Sequence, residues 1–197
     1  MKKNKKWLGS KKAVKRKSSR VSPMAHNRRV RKLVLHNEGA DRNGAGDPVW
    51  LAEYVRGKGI EYHAVINLET GKFVQLLPFD AAARSLLNAG LDGGIGDNRS
   101  GDVCIQICVQ GYGSKPFTAG RMRGAEVLGE ICDAWGIPHK VRKKWGPGAS
   151  RSTAEWNKSG IHGHCHAPGN DHTDPGPIDV KKLKAAMWPK KKKRGRG

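Results

Sequence analysis

The chain has 197 residues, enough for one ordinary α/β domain and hardly enough for two. Its 38 Lys and Arg residues outnumber its 17 Asp and Glu residues, but 14 basic groups lie in residues 1–32 and nine in residues 181–197, where no acid occurs. The body between them, residues 33–180, therefore carries 15 basic and 17 acidic groups and is nearly neutral. This distribution argues against a protein that binds nucleic acid through the surface of its folded body.

The two ends, 1–29 and 189–197, are predicted to be disordered basic tails, because their like charges repel and they offer little apolar surface to bury. No run of about 18 apolar residues is present, which argues against a membrane-spanning helix of ordinary length. The basic start lacks the apolar segment of a secretion signal. We therefore expect a cytoplasmic product whose four cysteines stay reduced.

The first predicted element is a strand over Lys32–His36, a short apolar run that brings a histidine to the end of a sheet. A loop rich in Gly, Asn and Asp follows at 37–46. A helix is predicted over 47–57, because an Asp-Pro pair suits its N-cap and first turn and a glycine stands at its end.

Two further strand-like runs, 62–67 and 72–77, flank a short turn that contains a glycine. They are predicted to form an antiparallel hairpin. Another apolar run, 103–110, is dense enough to be a central strand, and the stretch rich in Gly, Asp and Asn before it, 88–102, predicts a long exposed loop.

Apolar residues recur at helical spacing over 118–135, which predicts the longest helix. Residues 145–160 show no periodicity, 161–166 favour a last short strand, and 178–187 favour a final helix that leads into the basic tail. Strands interspersed with helices predict one domain, 30–188, with an α/β fold in which helices flank a central mixed β-sheet.

Four of the eight histidines lie between His162 and His172. Such clusters often form only a loose, solvated metal-binding tract. The separate His36, at the end of a predicted buried strand, favours a built site, because catalytic zinc takes three His or carboxylate ligands and leaves its fourth position to water. His36, one histidine of the cluster and Asp174 would supply that set.

The histidine of the cluster is open to choice, because His162, His164 and His166 would all face the same side of a strand. Cys165 is also a metal-ligand type, but on a strand it would point to the opposite face.

Four segments together resemble a known family. They are Val34–His36 at the end of an apolar strand, Tyr62-His63 at the start of the next strand, Ile105–Gly111 in the central strand, and Gly163-His164 followed, ten residues after the histidine, by Asp174-Pro175-Gly176. The chain resembles the zinc-dependent N-acetylmuramoyl-L-alanine amidases of the type 2 amidase, or peptidoglycan recognition, fold, and phage endolysins especially. The resemblance covers about residues 30–185.

The resemblance implies that His36, His164 and Asp174 bind Zn²⁺. It further implies that a zinc-activated water cleaves the amide between N-acetylmuramic acid and L-alanine of the peptidoglycan stem peptide. Tyr62 matches a tyrosine that the family places beside the metal, where its hydroxyl can donate to the developing oxyanion. His172 stands where many relatives carry a lysine, and it is expected to donate to the oxyanion or to pass a proton to the leaving amine. Tyr62 and His172 are the predicted catalytic residues.

One position departs from part of the family. Several relatives carry a glutamate at the position of Cys108, where the acid assists the attacking water, and a thiol is a poor base. We interpret Cys108 as a small buried residue of the central strand. His63, next to Tyr62, is expected either beside the metal ligands or in the core.

The sequence thus predicts a peptidoglycan hydrolase, a monomeric phage endolysin that stays in the host cytoplasm until it is released onto the wall. One alternative is a peptidoglycan-binding module without turnover, although that branch usually loses a metal ligand. Another is a metal-dependent nuclease with nucleic-acid-binding tails, although the neutral body makes nucleic acid an unexpected substrate. The tails are expected to attract anionic wall polymers or a membrane surface.

Overall fold

The computed structural model describes residues 13–15, 22–23, 30–37, 47–83, 85–86, 104–110 and 120–190. The predicted loop at 88–102, most of the loop at 37–46 and most of both basic tails lie outside the described residues.

Eight strands and four α-helices are present within the described residues. In chain order they are β1 (Ala13–Lys15), β2 (Ser22–Pro23), β3 (Lys32–His36), α1 (Pro48–Gly57), β4 (Ala64–Ile66), β5 (Phe73–Gln75), β6 (Ala81–Ala82), β7 (Cys104–Val109), α2 (Glu126–Trp135), α3 (Thr153–Trp156), β8 (Gly160–Gly163) and α4 (Val180–Met187).

The main sheet is mixed and has the strand order β1-β5-β4-β7-β3-β8. Strand β3 lies between β7 and β8 and is parallel to both, and β4 is parallel to β7. Strands β4 and β5 pair antiparallel, as the hairpin prediction requires. The predicted α/β fold with a central mixed sheet is confirmed.

The side chains on the two faces of β3 pack against different sets of helices. Leu33 and Leu35 are buried in the core that α2 and α4 cover, and burying each leucine contributes about 1.5–3 kcal/mol. Because strand side chains alternate, His36 faces the other side. There it pairs in register with Cys108 of β7, which belongs to the apolar cluster under α1. Helices therefore cover both faces, and His36 lies at the end of a central strand on the α1 side.

The N-terminus of α1 follows the sequence prediction closely. Asp47 is the N-cap, and its side chain accepts a hydrogen bond from the Val49 N–H at 3.0 Å. This bond satisfies one of the amides that a helix start leaves free, and Pro48 needs no such partner.

Part of the predicted helix at 118–135 is a different kind of helix. Residues Gly120–Ala125 form a 3₁₀ helix, and the α-helix begins only at Glu126. The cause is a close backbone contact, since a Cβ on Gly124 would lie 2.0 Å from the backbone nitrogen of Gly71. Only glycine fits there, and the tighter turn lets the chain pass the β4–β5 hairpin.

The predicted strand at 161–166 also ends early. Strand β8 stops at Gly163, and His164–His166 form a 3₁₀ turn. The amide of Cys165 donates to the carbonyl of Asp174 at 2.9 Å and so bonds outside the strand ladder. The expectation that three alternate histidines share one face is therefore wrong, because alternation ends with the strand. In the irregular stretch 145–160, a single helical turn forms at α3, where Ser152 caps the amide of Glu155.

Two short segments of the predicted N-terminal tail are paired. Strand β1 runs parallel to β5, with Val14 opposite Val74, and β2 pairs antiparallel with β6. Disorder of the basic tails stays a prediction, and these five residues are the part of the N-terminal tail for which the structure gives a pairing. Strand pairing uses backbone groups, which flanking lysines do not remove, and the free edge of β5 offers such groups. None of the described helices combines the length and apolar character that crossing a membrane requires.

Candidate metal centre

The centre is built on the end of β3. His36 is fully buried there. The next amide, that of Asn37, donates to Oδ2 of Asp174 at 3.2 Å, so the end of the strand holds the carboxylate in place. The side chain of Asn37 in turn donates to the carbonyl of Val109 at 3.0 Å, which ties this corner to β7.

The other two groups come from the segment after β8. His164 opens the 3₁₀ turn and is 3% exposed, and Asp174 follows after a loop. The backbone bond from Cys165 to Asp174 closes this loop, so two residues ten positions apart face the same point.

His36, His164 and Asp174 converge, and one potential ligand atom from each lies within 4.8 Å of the others. Nδ1 of His164 is 3.2 Å from Oδ1 of Asp174, and Nδ1 of His36 is 3.6 Å from Oδ2. Two ligands of one tetrahedral zinc ion, each at about 2.0–2.1 Å, lie about 3.4 Å apart. The spacing therefore suits a shared metal.

The protonation states suit a metal as well. Burial lowers the pKa of His36 from 6.5 to about 4, so its ring is neutral at pH 7. Burial by itself would raise the pKa of Asp174, but hydrogen bonding to His164 and the nearness of His36 hold that pKa well below its ordinary value. A neutral imidazole and an ionised carboxylate are the forms that coordinate zinc.

Buried ring nitrogens without hydrogen-bond partners give a second test of whether this group fits a metal. Both nitrogens of His36 and Nε2 of His164 are buried without a hydrogen-bond partner among the described residues. Buried polar atoms nearly always have a partner, because leaving one unpaired costs about 1–3 kcal/mol. One bound cation would supply a partner to one nitrogen of a ring, and Nδ1 is the nitrogen of each ring that lies near the Asp174 carboxylate. For His36, whose Nδ1 is among the unpaired atoms, the donor set fits the zinc that the sequence suggested.

The neighbouring histidines are used elsewhere. His162 donates from Nε2 to the carbonyl of Lys158 at 2.7 Å. His166 donates from Nε2 to the carbonyl of Lys144 at 2.6 Å and accepts at Nδ1 from the amide of Gly163 at 2.9 Å. These hydrogen bonds tie both rings to backbone groups, and neither ring belongs to the converging group.

His172 lies directly against the centre. Its ring stacks on that of His164, with centroids 4.1 Å apart and planes at 19°, and its Nδ1 is 3.3 Å from Oδ1 of Asp174. Its side chain is 47% exposed. His172 therefore combines contact with two of the converging residues and access from solvent, which a group that meets a substrate needs.

Tyr62 also borders the centre, with its ring centroid 5.1 Å from that of His36. It is 4% exposed and packs in the apolar cluster under α1. Cys108 is buried in that same cluster, beside His36 in the sheet register, which agrees with its interpretation as a small core residue.

His63 takes the core position of the two that the sequence left open. Its Nε2 donates to the carbonyl of Ala81 at 2.8 Å, and its Nδ1 accepts from the amide of Gln106 at 2.9 Å. Both ring nitrogens are thus engaged with backbone, and His63 links β7 to β6.

Sequence reasoning missed Arg151. Its Nη2 donates to the carbonyl of His172 at 2.9 Å and to that of Asp171 at 3.3 Å, which supports the loop that carries His172 and Asp174. An arginine in a glycine- and serine-rich stretch gives no sequence signal for this role, because its partners are backbone atoms 20 residues away.

Comparisons with known proteins show the family and the fold of the chain. Residues 26–177 match the family described as N-acetylmuramoyl-L-alanine amidase. No curated protein matches the chain.

Several solved structures share the fold. AmpD, in a selenomethionine derivative, is 22% identical, with 93% of this chain and 97% of that chain covered and a TM-score of 0.62. The hydrolase AmiA of Staphylococcus aureus, determined in complex with its ligand, is 14% identical, with 91% and 83% covered and a TM-score of 0.58. The N-acetylmuramoyl-L-alanine amidase LysC of Clostridium intestinale URNW is 16% identical, with 90% and 98% covered and a TM-score of 0.54. The family match spans most of the sequence, and the chain belongs to the N-acetylmuramoyl-L-alanine amidases, with a type 2 amidase, endolysin-like fold.

Proposed function

We propose that this protein is a zinc-dependent endolysin that cleaves the amide between N-acetylmuramic acid and L-alanine of the stem peptide. Family membership supports a peptidoglycan amidase. The observation that carries the zinc proposal is the convergence of His36, His164 and Asp174 within 4.8 Å, with buried ring nitrogens that lack partners among the described residues.

His36, His164 and Asp174 would hold the ion. Zinc bound there would supply Lewis-acid chemistry, polarising the amide carbonyl and making a water acidic enough to attack near neutral pH. Asp174 is itself held by the amide of Asn37, and Arg151 supports its loop, so the protein's own groups orient the carboxylate.

His172 and Tyr62 are the proposed catalytic residues. In the hydrolysis, a water oxygen adds to the carbonyl carbon, the C–N bond breaks, and the lactyl carboxylate and the free amine of alanine are the products. The carbonyl oxygen gains negative charge on the way, and the leaving nitrogen needs a proton. The exposed ring of His172 can donate to the oxygen or the nitrogen, and the Tyr62 hydroxyl can donate to the oxygen.

The proposed setting is phage lysis. The protein would be made in the host cytoplasm, act as a monomer and reach the wall only after release. Its basic tails would add attraction to anionic wall polymers or a membrane surface. Nucleic acid is not proposed as a substrate.

Digestion of purified peptidoglycan tests the function. We expect new N-terminal alanine to appear, and a chelator to abolish it until zinc is restored. New reducing sugar would identify a glycosidase instead, and peptidoglycan that is bound but not cut would identify a binding module. Cleavage that survives complete removal of metal would contradict the zinc mechanism.

A further inference from the structure

The nearly neutral body conceals an uneven distribution of charge. Residues 140–158 hold six basic groups and one acid, Glu155. The rest of the body, 33–180, then carries nine basic and 16 acidic groups. We call the first set the basic edge; its members are Lys140, Arg142, Lys143, Lys144, Arg151 and Lys158.

Residues 140–142 of the basic edge lie along the outer side of β8, the last strand in the sheet order. Val141 forms a parallel bridge with Ile161. The amide of Arg142 donates to the carbonyl of Ile161 at 3.1 Å, and the amide of Ile161 donates to the carbonyl of Lys140 at 2.8 Å. The segment is thus anchored to the sheet by backbone bonds, which leaves its lysine side chains to other uses.

Little of this charge is neutralised within the chain. Glu155 pairs with Lys158 and, at 3.6 Å, with Arg142. Lys143 and Lys144 are exposed and form no ion pair within the described part of the chain, although Lys143 adds to the positive charge around Glu155. Long cationic side chains without partners are available to an outside anion.

The same segment contacts the loops that carry the residues of the candidate metal centre. The carbonyl of Lys144 accepts from His166, two residues after His164. A Cβ on Gly146 would lie 3.4 Å from the carbonyl carbon of Gly176, two residues after Asp174. Arg151 reaches the carbonyl of His172. The basic edge is therefore continuous with the loops that carry the centre.

We propose that the basic edge is a docking surface for the anionic stem peptides of peptidoglycan, with Lys143 and Lys144 as its main contacts. The inference rests on the proposed function and extends it from the scissile bond to the charge of the substrate. Stem peptides carry free carboxylates, which unpaired lysines attract. Because the edge adjoins the centre, it would concentrate the polymer where the amide is cut. The competing explanation is structural, since lysines along a sheet edge also prevent edge-to-edge aggregation.

A pair of double variants separates position from charge. Lys143→Gln/Lys144→Gln removes two charges from the basic edge. Lys58→Gln/Lys72→Gln removes two exposed charges beside α1 and β5, across the sheet from β8. Both variants are used as full-length, zinc-loaded proteins. Each has lost two positive charges, so their net charges are equal and the attraction of the basic tails is the same in each. The substrates are peptidoglycan stripped of attached polymers, the same material with its carboxylates amidated, and walls that retain their phosphate polymers.

We expect the edge variant to need about three to ten times more peptidoglycan for half-maximal rate at low ionic strength, with kcat within about twofold of wild type. The difference should shrink in high salt and vanish on the amidated substrate, and the control variant should behave like wild type. Cosedimentation with the same peptidoglycan measures binding alone, so it gives an answer even if the chain cuts no amide.

Three results would overturn the proposal. Equal binding and half-saturation for the two double variants would mean that the position of the lysines is irrelevant. A defect seen only on walls that retain phosphate polymers would assign the surface to those polymers. Aggregation of the edge variant with normal binding by its monomer would leave the lysines with the protective role alone. Absence of cleavage by wild type, with binding still dependent on Lys143 and Lys144, would instead refute the proposed function.

Discussion

His164 and His172 stack ring on ring, yet their surroundings give them different chemistry. His164 is 3% exposed and has a buried Nε2 without a partner, whereas the His172 side chain is 47% exposed. Both approach the same oxygen of Asp174, at 3.2 and 3.3 Å. The buried ring of His164, which converges with His36 and Asp174, suits a metal, and the exposed ring of His172 suits a substrate.

His164→Ala should lose both zinc and turnover, because it removes one of three ligands. His166→Ala is the matched control: His166 is equally buried and two residues away, but it bonds to the carbonyl of Lys144. The control should lose stability but keep about one zinc per folded chain. Metal analysis of purified, folded protein decides the question, and full zinc content in His164→Ala would refute the ligand assignment.

His172→Ala and Tyr62→Phe should keep zinc and react more slowly. If each side chain donates a hydrogen bond only in the transition state, the loss in kcat should be roughly ten- to a thousandfold, with KM little changed. Zinc content and kinetics on a soluble muropeptide are measured on the same samples. Unchanged kcat in His172→Ala would make that ring a bystander to the reaction.

At the scale of elements, the early end of β8 decides where His164 lies. Gly163 is the last residue of the strand, and a Cβ there would lie 2.7 Å from the ring of Trp145 and 2.9 Å from Sγ of Cys165. The strand, the indole and the turn therefore meet without space for a methyl group. The tight packing positions His164, which alternation along a longer strand would have placed differently.

Gly163→Ala should lower the free energy of unfolding by about 1–3 kcal/mol and weaken zinc binding, because the added methyl group must displace Trp145 or the turn. Gly57→Ala is the control, since a Cβ at the end of α1 meets nothing within 4 Å. We expect it to be neutral or slightly stabilising. Urea unfolding and zinc titration of both variants test this, and equal behaviour would contradict the packing argument.

His63, which joins β7 to β6, should make stability depend on pH. Burial lowers its pKa from 6.5 to about 4, although its bonds to the backbone of Ala81 and Gln106 and the nearby Asp80 oppose the shift and His36 adds to it. Between these values the unfolded chain binds the extra proton and the folded chain does not. Stability is therefore complete above about pH 6.5 and is lost as pH falls toward 4, by up to about 1.4 kcal/mol per pH unit.

His63→Gln removes that proton from the balance. The variant should be less stable than wild type at about pH 7.5, because it loses a buried ring that makes two hydrogen bonds to the backbone. Its stability should fall less steeply on acidification, since one fewer group titrates. Urea unfolding in zinc-saturated buffer at several pH values gives the slope of unfolding free energy against pH for wild type and variant. The other histidines contribute equally to both slopes. Identical slopes would mean that the pKa of His63 is the same in the folded and the unfolded chain.

On the scale of the whole molecule, most basic residues lie in segments of the chain that do not contain the proposed ligands and catalytic residues. The proposed ligands and catalytic residues lie between 36 and 174, whereas 23 of the 38 basic residues lie in 1–32 and 181–197. Long-range attraction to a wall and cleavage of one amide can therefore be removed independently.

Deleting residues 190–197 removes six basic groups and leaves every described strand intact. Hydrolysis of a small soluble muropeptide should change less than about twofold, and lysis of whole walls should become slower and less sensitive to salt, since attraction at physiological ionic strength is screened over about 8 Å. Lysis curves across a salt series test this on one wall preparation. Parallel curves for the two proteins would show that this tail does not deliver the enzyme.

The sequence by itself determined the α/β class, the β4–β5 hairpin and the capped α1, and its resemblance to a known family named His36, His164 and Asp174 as candidate residues. These follow from local features: apolar periodicity, a glycine in a turn, an Asp-Pro helix start and a motif at fixed spacing. Local patterns act within a few residues, so they survive without knowledge of the fold.

Tertiary structure alone decided which histidines converge and what supports them. Whether His162, His164 or His166 faces His36 depends on where β8 stops, and that depends on Trp145 and on a backbone bond to Asp174. The pairing of Ala13–Lys15 at the sheet edge and the concentration of charge at 140–158 likewise arise between distant segments. Such contacts join residues far apart in the chain, and their strength depends on packing and burial, which no local pattern encodes.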